Sequence, residues 1–111
     1  MEKKTEQFDG NDPNLNNGLT GVITYVGVSG GNLIIRVNID QYLASGNCRL
    51  ELLRDDNVIY GEVVEIIDSA ATATCSGFNV ATSGIGNGKT NINILLTSEG
   101  KTGIIKGEVN L

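Results

Sequence analysis

Asn32-Leu33-Ile34-Ile35-Arg36-Val37-Asn38-Ile39 decides how this chain folds. Leu33, Ile35, Val37 and Ile39 recur at every second residue, and in an extended backbone such residues share one face. Ile34, Arg36 and Asn38 take the other face, so the segment reads as a strand buried on one side. Ser29-Gly30-Gly31 precedes it as a turn, and Val22 to Val28 before the turn reads as another strand.

Outward from this pair the same rhythm continues. From Gly18 onward, apolar runs are broken by turn residues at intervals of roughly eight to twelve residues, the spacing of an antiparallel sandwich or barrel. Cys48 to Leu53 puts Cys48, Leu50 and Leu52 on one face and Arg49, Glu51 and Leu53 on the other. Arg54-Asp55-Asp56-Asn57 reads as a hairpin turn into Val58 to Ile67. That run is apolar on both faces apart from Gly61, Glu62 and Glu65, so its pattern leaves the register unspecified. Thr72 onward reads as one extended segment through Cys75 to Phe78 and Val80. Thr90 to Thr97 directs Ile92, Ile94 and Leu96 inward. After the Ser98-Glu99-Gly100-Lys101 turn, Gly103 to Leu111 does the same with Ile105, Gly107, Val109 and Leu111. The expectation is an all-β antiparallel sandwich of about seven strands over residues 19–111.

Residues 1–18, MEKKTEQFDGNDPNLNNG, hold only Met1, Phe8 and Leu15 as large apolar side chains and read as a polar linker. The chain shows no signal-peptide core and no apolar run long enough to cross a bilayer. An exported protein of this sequence would therefore have its anchor upstream.

The chain of 111 residues carries 13 acidic and 8 basic side chains and no histidine, which removes the usual partner of a Ser or Cys nucleophile and the commonest metal ligand. The acidic balance and scattered cations argue against nucleic acid as a partner. Cys48 and Cys75, 27 residues apart among apolar or small neighbours, read as a structural disulfide, with two buried free thiols as the alternative. A metal or redox role lacks both a C-x-x-C spacing and a His.

Four motifs invite chemistry. Gly84-Ile85-Gly86-Asn87-Gly88-Lys89-Thr90 approximates a phosphate-binding loop but is one residue short, and a strand pattern follows where a helix is required. Asp12, Asn14 and Asn16 have calcium-loop spacing, yet Asn17 stands where Gly is needed and Ile23 where a bidentate Glu is needed. Asp68-Ser69-Ala70 echoes an aspartic-protease loop, but one carboxylate is not a dyad. Glu62 and Glu65 sit at odd separation on one strand and face opposite ways, so they form no glycosidase pair. A histidine-free hydrolase using Asp or Glu, or a Ser with Lys89, has no support in spacing. Tyr25, Tyr42 and Tyr60 would form a sugar-stacking platform only if the fold placed them on one face.

Asn32 to Ile39, Cys48-Arg49-Leu50-Glu51-Leu52, Thr74-Cys75-Ser76-Gly77-Phe78-Asn79-Val80 and the closing pair Lys89 to Leu111 together resemble the immunoglobulin-like or fibronectin-III-like modules of bacterial cell-surface proteins. The resemblance spans Gly21 to Leu111. It implies an immunoglobulin-like sandwich, tethered outside the cytoplasm behind an anchor and a linker, that acts without catalysis or cofactor as a spacer, adhesin or protein-contact module. The pattern lacks a core Trp, and its cysteines lie closer than the usual inter-sheet pair. Ile34, Leu53, Leu95 and Ile104, apolar on outward faces, are the expected partner-facing patch; packing under the linker is the other expectation for them. A cytosolic assembly subunit with reduced thiols and a carbohydrate-binding module stay open as alternative readings.

Overall fold

The computed structural model describes residues 13–69 and 71–111. These contain eight strands: β1 (Gly21–Ser29), β2 (Asn32–Ile39), β3 (Asn47–Arg54), β4 (Asn57–Asp68), β5 (Ala73–Cys75), β6 (Phe78–Ala81), β7 (Lys89–Ser98) and β8 (Lys101–Asn110). They join in the order β1-β2-β5-β4-β3-β7-β8, with β6 also on β2, and every ladder is antiparallel. The sheet curls on itself until it is nearly closed. Its two halves are β1, β2, β5 and β6 on one side and β3, β7 and β8 on the other.

β4 belongs to both halves. Its residues Asn57 to Glu65 pair with β3, whereas Ile66, Ile67 and Asp68 pair with β5. This double duty explains a strand apolar on both faces: Ile66 turns into the core while Val63 and Ile67 remain outside.

Three one-residue bulges bring apolar side chains of opposite parity to the same core. In β1 the register slips between Ile23 and Tyr25, so that Ile23 and Val26 both turn inward. Against β3, the slip on β4 falls at Ile59, between the Leu52–Tyr60 and Leu53–Val58 pairs. The expected single segment from Thr72 to Val80 is instead two strands on one ladder: Asn38 faces Thr74, but Ile35 faces Phe78. Ser76 and Gly77 take up the extra residue, with Gly77 at φ 94°, where an L side chain is strained. Cys75 and Phe78, of opposite parity, are thereby both buried.

The core is aliphatic around one large aromatic, Phe78. Leu33, Ile35 and Ile39 of β2 meet Leu50 and Leu52 of β3 and Ile92, Ile94 and Leu96 of β7. Leu19, Leu43 and Ile85 close the ends from connecting segments. Leu19 also closes the seam between β1 and β8, which form no ladder with each other. Asn17 N donates to Thr102 O at 2.8 Å and accepts at its own carbonyl from Thr102 N at 3.0 Å. Leu19 then crosses so near β8 that a Cβ on Gly103 would collide with its backbone. The expected linker thus pairs with the sheet at residues 17–18, while residues 1–12 lie outside the described residues.

Cys48 and Cys75 form the expected disulfide, with Cα atoms 5.9 Å apart. Cys48 faces Val64 and Cys75 faces Ile66, so the bond spans the corner at which β4 leaves β3 and joins β5. Closing a loop of this size restricts the unfolded chain by about 3 to 4 kcal/mol. Cys75→Ala is expected to lower unfolding free energy by about that much, read from the urea midpoint; a change under about 0.5 kcal/mol would contradict the corner's role.

Candidate functional site

The outward residues singled out from the sequence separate onto two faces. Leu95 and Ile104 are directly paired across β7 and β8, half-buried, on the outer side of the β3-β7-β8 half. Leu53 points to that side too but is only 6% exposed, so it is not an open contact residue. It lies in a cleft of about 500 Å³ with Asp56, Asn91, Asn93, Lys106 and Glu108. Ile34 is on the opposite face of the molecule, on β2 between Gly27 and Asn79.

That opposite face is the candidate site. One row runs across the strands through Val22, Asn38, Thr74 and Ile67, and Tyr25 faces Arg36 in the adjacent row. Val22, Tyr25 and Ile67 are 51%, 47% and 49% exposed. Tyr25 is outward because of the β1 bulge, which Thr24 secures by donating through Oγ1 to Arg36 O at 3.3 Å. Its phenol lies over Gly27, in space that a side chain there would fill. Between the rows, Thr24, Arg36, Asn38, Ile67, Thr74 and Ser76 line a shallow cleft of about 380 Å³. The face therefore offers apolar area, hydroxyl and amide groups and one guanidinium, the mixture found where proteins meet.

Sequence reasoning grouped Ile34 with Leu53, Leu95 and Ile104, singled out Tyr25 only for a sugar platform, and missed Val22 and Ile67. Their signal was apolar identity on the outward parity of their strands, but a bulge in β1 and the double pairing of β4 obscured that parity.

The tempting motifs become structural parts. Gly84 to Thr90 leads from a short 3-10 turn, Thr82–Gly84, into β7. Arg54 at the end of β3 holds this loop by donating through Nη1 to Ile85 O at 2.7 Å and through Nη2 to Thr90 Oγ1 at 2.7 Å. A cation clamped by loop carbonyls is the reverse of an anion cradle, in which backbone N–H groups point at the ligand. Lys89 forms an ion pair with Glu108 at 3.5 Å. Asp68 ends β4 and accepts from Tyr42 Oη at 3.3 Å. Glu62 and Glu65 face opposite sides, opposite Leu50 and Asn47 respectively. Of the calcium-spaced residues, Asp12 lies outside the described residues and Asn14 sits in the 3-10 turn Pro13–Leu15. The three tyrosines do not converge: Tyr60 is eight residues along β4 from Asp68, about 26 Å in extended chain, whereas Tyr42 contacts that Asp68.

No protein-family model matches this chain, and neither a curated protein nor a solved structure matches it.

Tyr60 has a titration shift with a clear physical cause. Burial, a hydrogen bond from its hydroxyl to Glu62 Oε1 at 3.0 Å and the charge of Glu62 all favour the neutral phenol and raise its pKa above 10.0. The unfolded chain then releases this proton more readily. The resulting stability is complete below pH 10 and is lost as pH rises through the folded midpoint. Glu62→Gln is expected to lower the Tyr60 midpoint, followed by NMR of the ring; an unchanged midpoint would rule out the carboxylate as a cause.

Proposed function

We propose that this domain is an immunoglobulin-like or fibronectin-III-like module that works outside the bacterial cytoplasm as a non-catalytic protein-contact unit. The observation that carries the reading is the open face of β1, β2, β5 and the end of β4, where Val22, Tyr25 and Ile67 lie half-exposed around Arg36. Solitary exposed apolar residues need no explanation, but three in adjacent rows beside a guanidinium suit a partner.

Two further features support it. The pairing order sets β3, β7 and β8 against β1, β2 and β5, as the two sheets of an immunoglobulin-like sandwich are set. The Cys48–Cys75 disulfide is mildly in keeping with an oxidising compartment. In this reading the partner is a protein of the cell envelope.

The compartment is tested by acid-quenching cells that make the native protein, alkylating under denaturing conditions and measuring intact mass. A mass two hydrogens light without alkylation is expected, and two alkylated thiols would move the protein to the cytosolic reading. The contact is tested with the triple variant Val22→Ser, Tyr25→Ser, Ile67→Ser, used beside the wild type to capture envelope proteins. The variant is expected to keep its melting temperature and lose the wild-type partner; unchanged capture would remove this face from the proposal.

A further inference from the structure

We propose that β1 pairs edge to edge with β1 of a second copy of this chain, antiparallel about a two-fold axis at Gly27. The sheet has two ends, and they are finished differently. At one end β8 carries Lys101, Lys106 and Glu108 along its length, and Asn17 already pairs with its Thr102. Charges and a covering segment are the usual means by which a sheet edge is kept from pairing with another chain. At the other end β1, Gly-Val-Ile-Thr-Tyr-Val-Gly-Val-Ser from Gly21 to Ser29, contains neither a charge nor a proline. Among the described residues only β2 forms a ladder with it.

The two halves of β1 have different surroundings. Gly21 to Ile23 run against β8, so closely that a side chain on Gly107 would collide with Ile23. Beyond the bulge, Tyr25 to Ser29 pair with Arg36 back to Asn32 without a further slip, which leaves a regular edge. Val26 and Val28 stand on the core-facing parity there, opposite the fully buried Ile35 and Leu33. Val28 is nevertheless 52% exposed. An added strand would cover it with the apolar cross-strand neighbour that its own sheet does not supply.

Symmetry and the absence of charge make a second copy the fitting occupant. Directly opposed residues of an antiparallel pair share a face, so a strand that pairs with itself must oppose residues of like parity. An axis at Gly27 does this: Val26 meets Val28 of the second copy, Val28 meets Val26, and Tyr25 meets Ser29. No like charges face each other anywhere along this register. The axis itself is free of side chains, and the two Tyr25 phenols, each resting over its own Gly27, stand side by side across it. Antiparallel pairing also sends the halves flanked by β8, Gly21 to Ile23, to opposite ends of the pair. So short a ladder buries less than the roughly 1,200 Å² of a stable interface, so the pair is weak and forms at high concentration.

Sedimentation velocity of the full chain from about 10 μM to about 1 mM tests this, with the mean mass expected to rise from one chain toward two. Val28→Lys, which sets an ammonium against Val26 of the second copy, is expected to stay monomeric with its melting temperature unchanged. A wild type that is monomeric throughout would overturn the proposal. Equal association of the variant would do so too, as would a mass that climbs past two chains. In a mixture of isotope-labelled and unlabelled wild type, intermolecular NOEs between Val26 and Val28 methyls are expected. A dimer lacking them would place the contact elsewhere and overturn the proposal, whether or not the variant folds.

Discussion

Everything in this domain depends on the corner at which β4 changes partners. A sheet that curls on itself needs one strand to leave the first half and enter the second, and β4 does so within the step from Glu65 to Ile66. Ladder hydrogen bonds alone hold such a turn weakly, because β5 is only three residues long. The Cys48–Cys75 bond joins the strands on either side of β4 at that point. The loop it closes contains β4 itself, so the covalent constraint acts on both of its ladders. A core with no tryptophan and, among the described residues, a single buried phenylalanine relies on aliphatic side chains meeting closely, and these meet only if the two halves are held at a fixed angle.

Strict alternation made much of this fold legible in the sequence. β2 and β7 read correctly because each offers an uninterrupted period of two, and β3 because Cys48, Leu50 and Leu52 share a face. What stayed hidden has a common cause, a change of parity within a strand. Ile23 with Val26, and Cys75 with Phe78, cannot share a face in a regular strand, yet both pairs turn to the core. Such a conflict in an apolar run is itself the mark of a bulge. Leu19, Leu43 and Ile85 were out of reach for another reason. A lone apolar residue in a polar connection has no period, and only the open ends of the folded sheet reveal what each one plugs.

The candidate face was half legible. Alternation assigns a side chain to a side of its strand but does not reveal whether that side is covered. Ile34 and Leu53 have the same outward parity on their strands, and the fold leaves one half-buried and the other buried. The difference arises from tertiary structure: Leu53 lies within a cleft beside the Asp56 turn, whereas Ile34 looks across to a glycine and an asparagine.

The two outer faces therefore suit different tasks. On the β3-β7-β8 side Glu51 and Leu53 are already withdrawn from water, so they offer an incoming surface no open apolar area. On the β1-β2-β5 side the apolar side chains are half-exposed. Val22, Tyr25 and Ile67 are held in place by the ladders beneath them, and Tyr25 is further fixed by its rest on Gly27. A surface that is apolar, rigid and open loses little conformational entropy when another surface closes over it. That economy, more than the fold itself, is the physical ground for placing the proposed contact there.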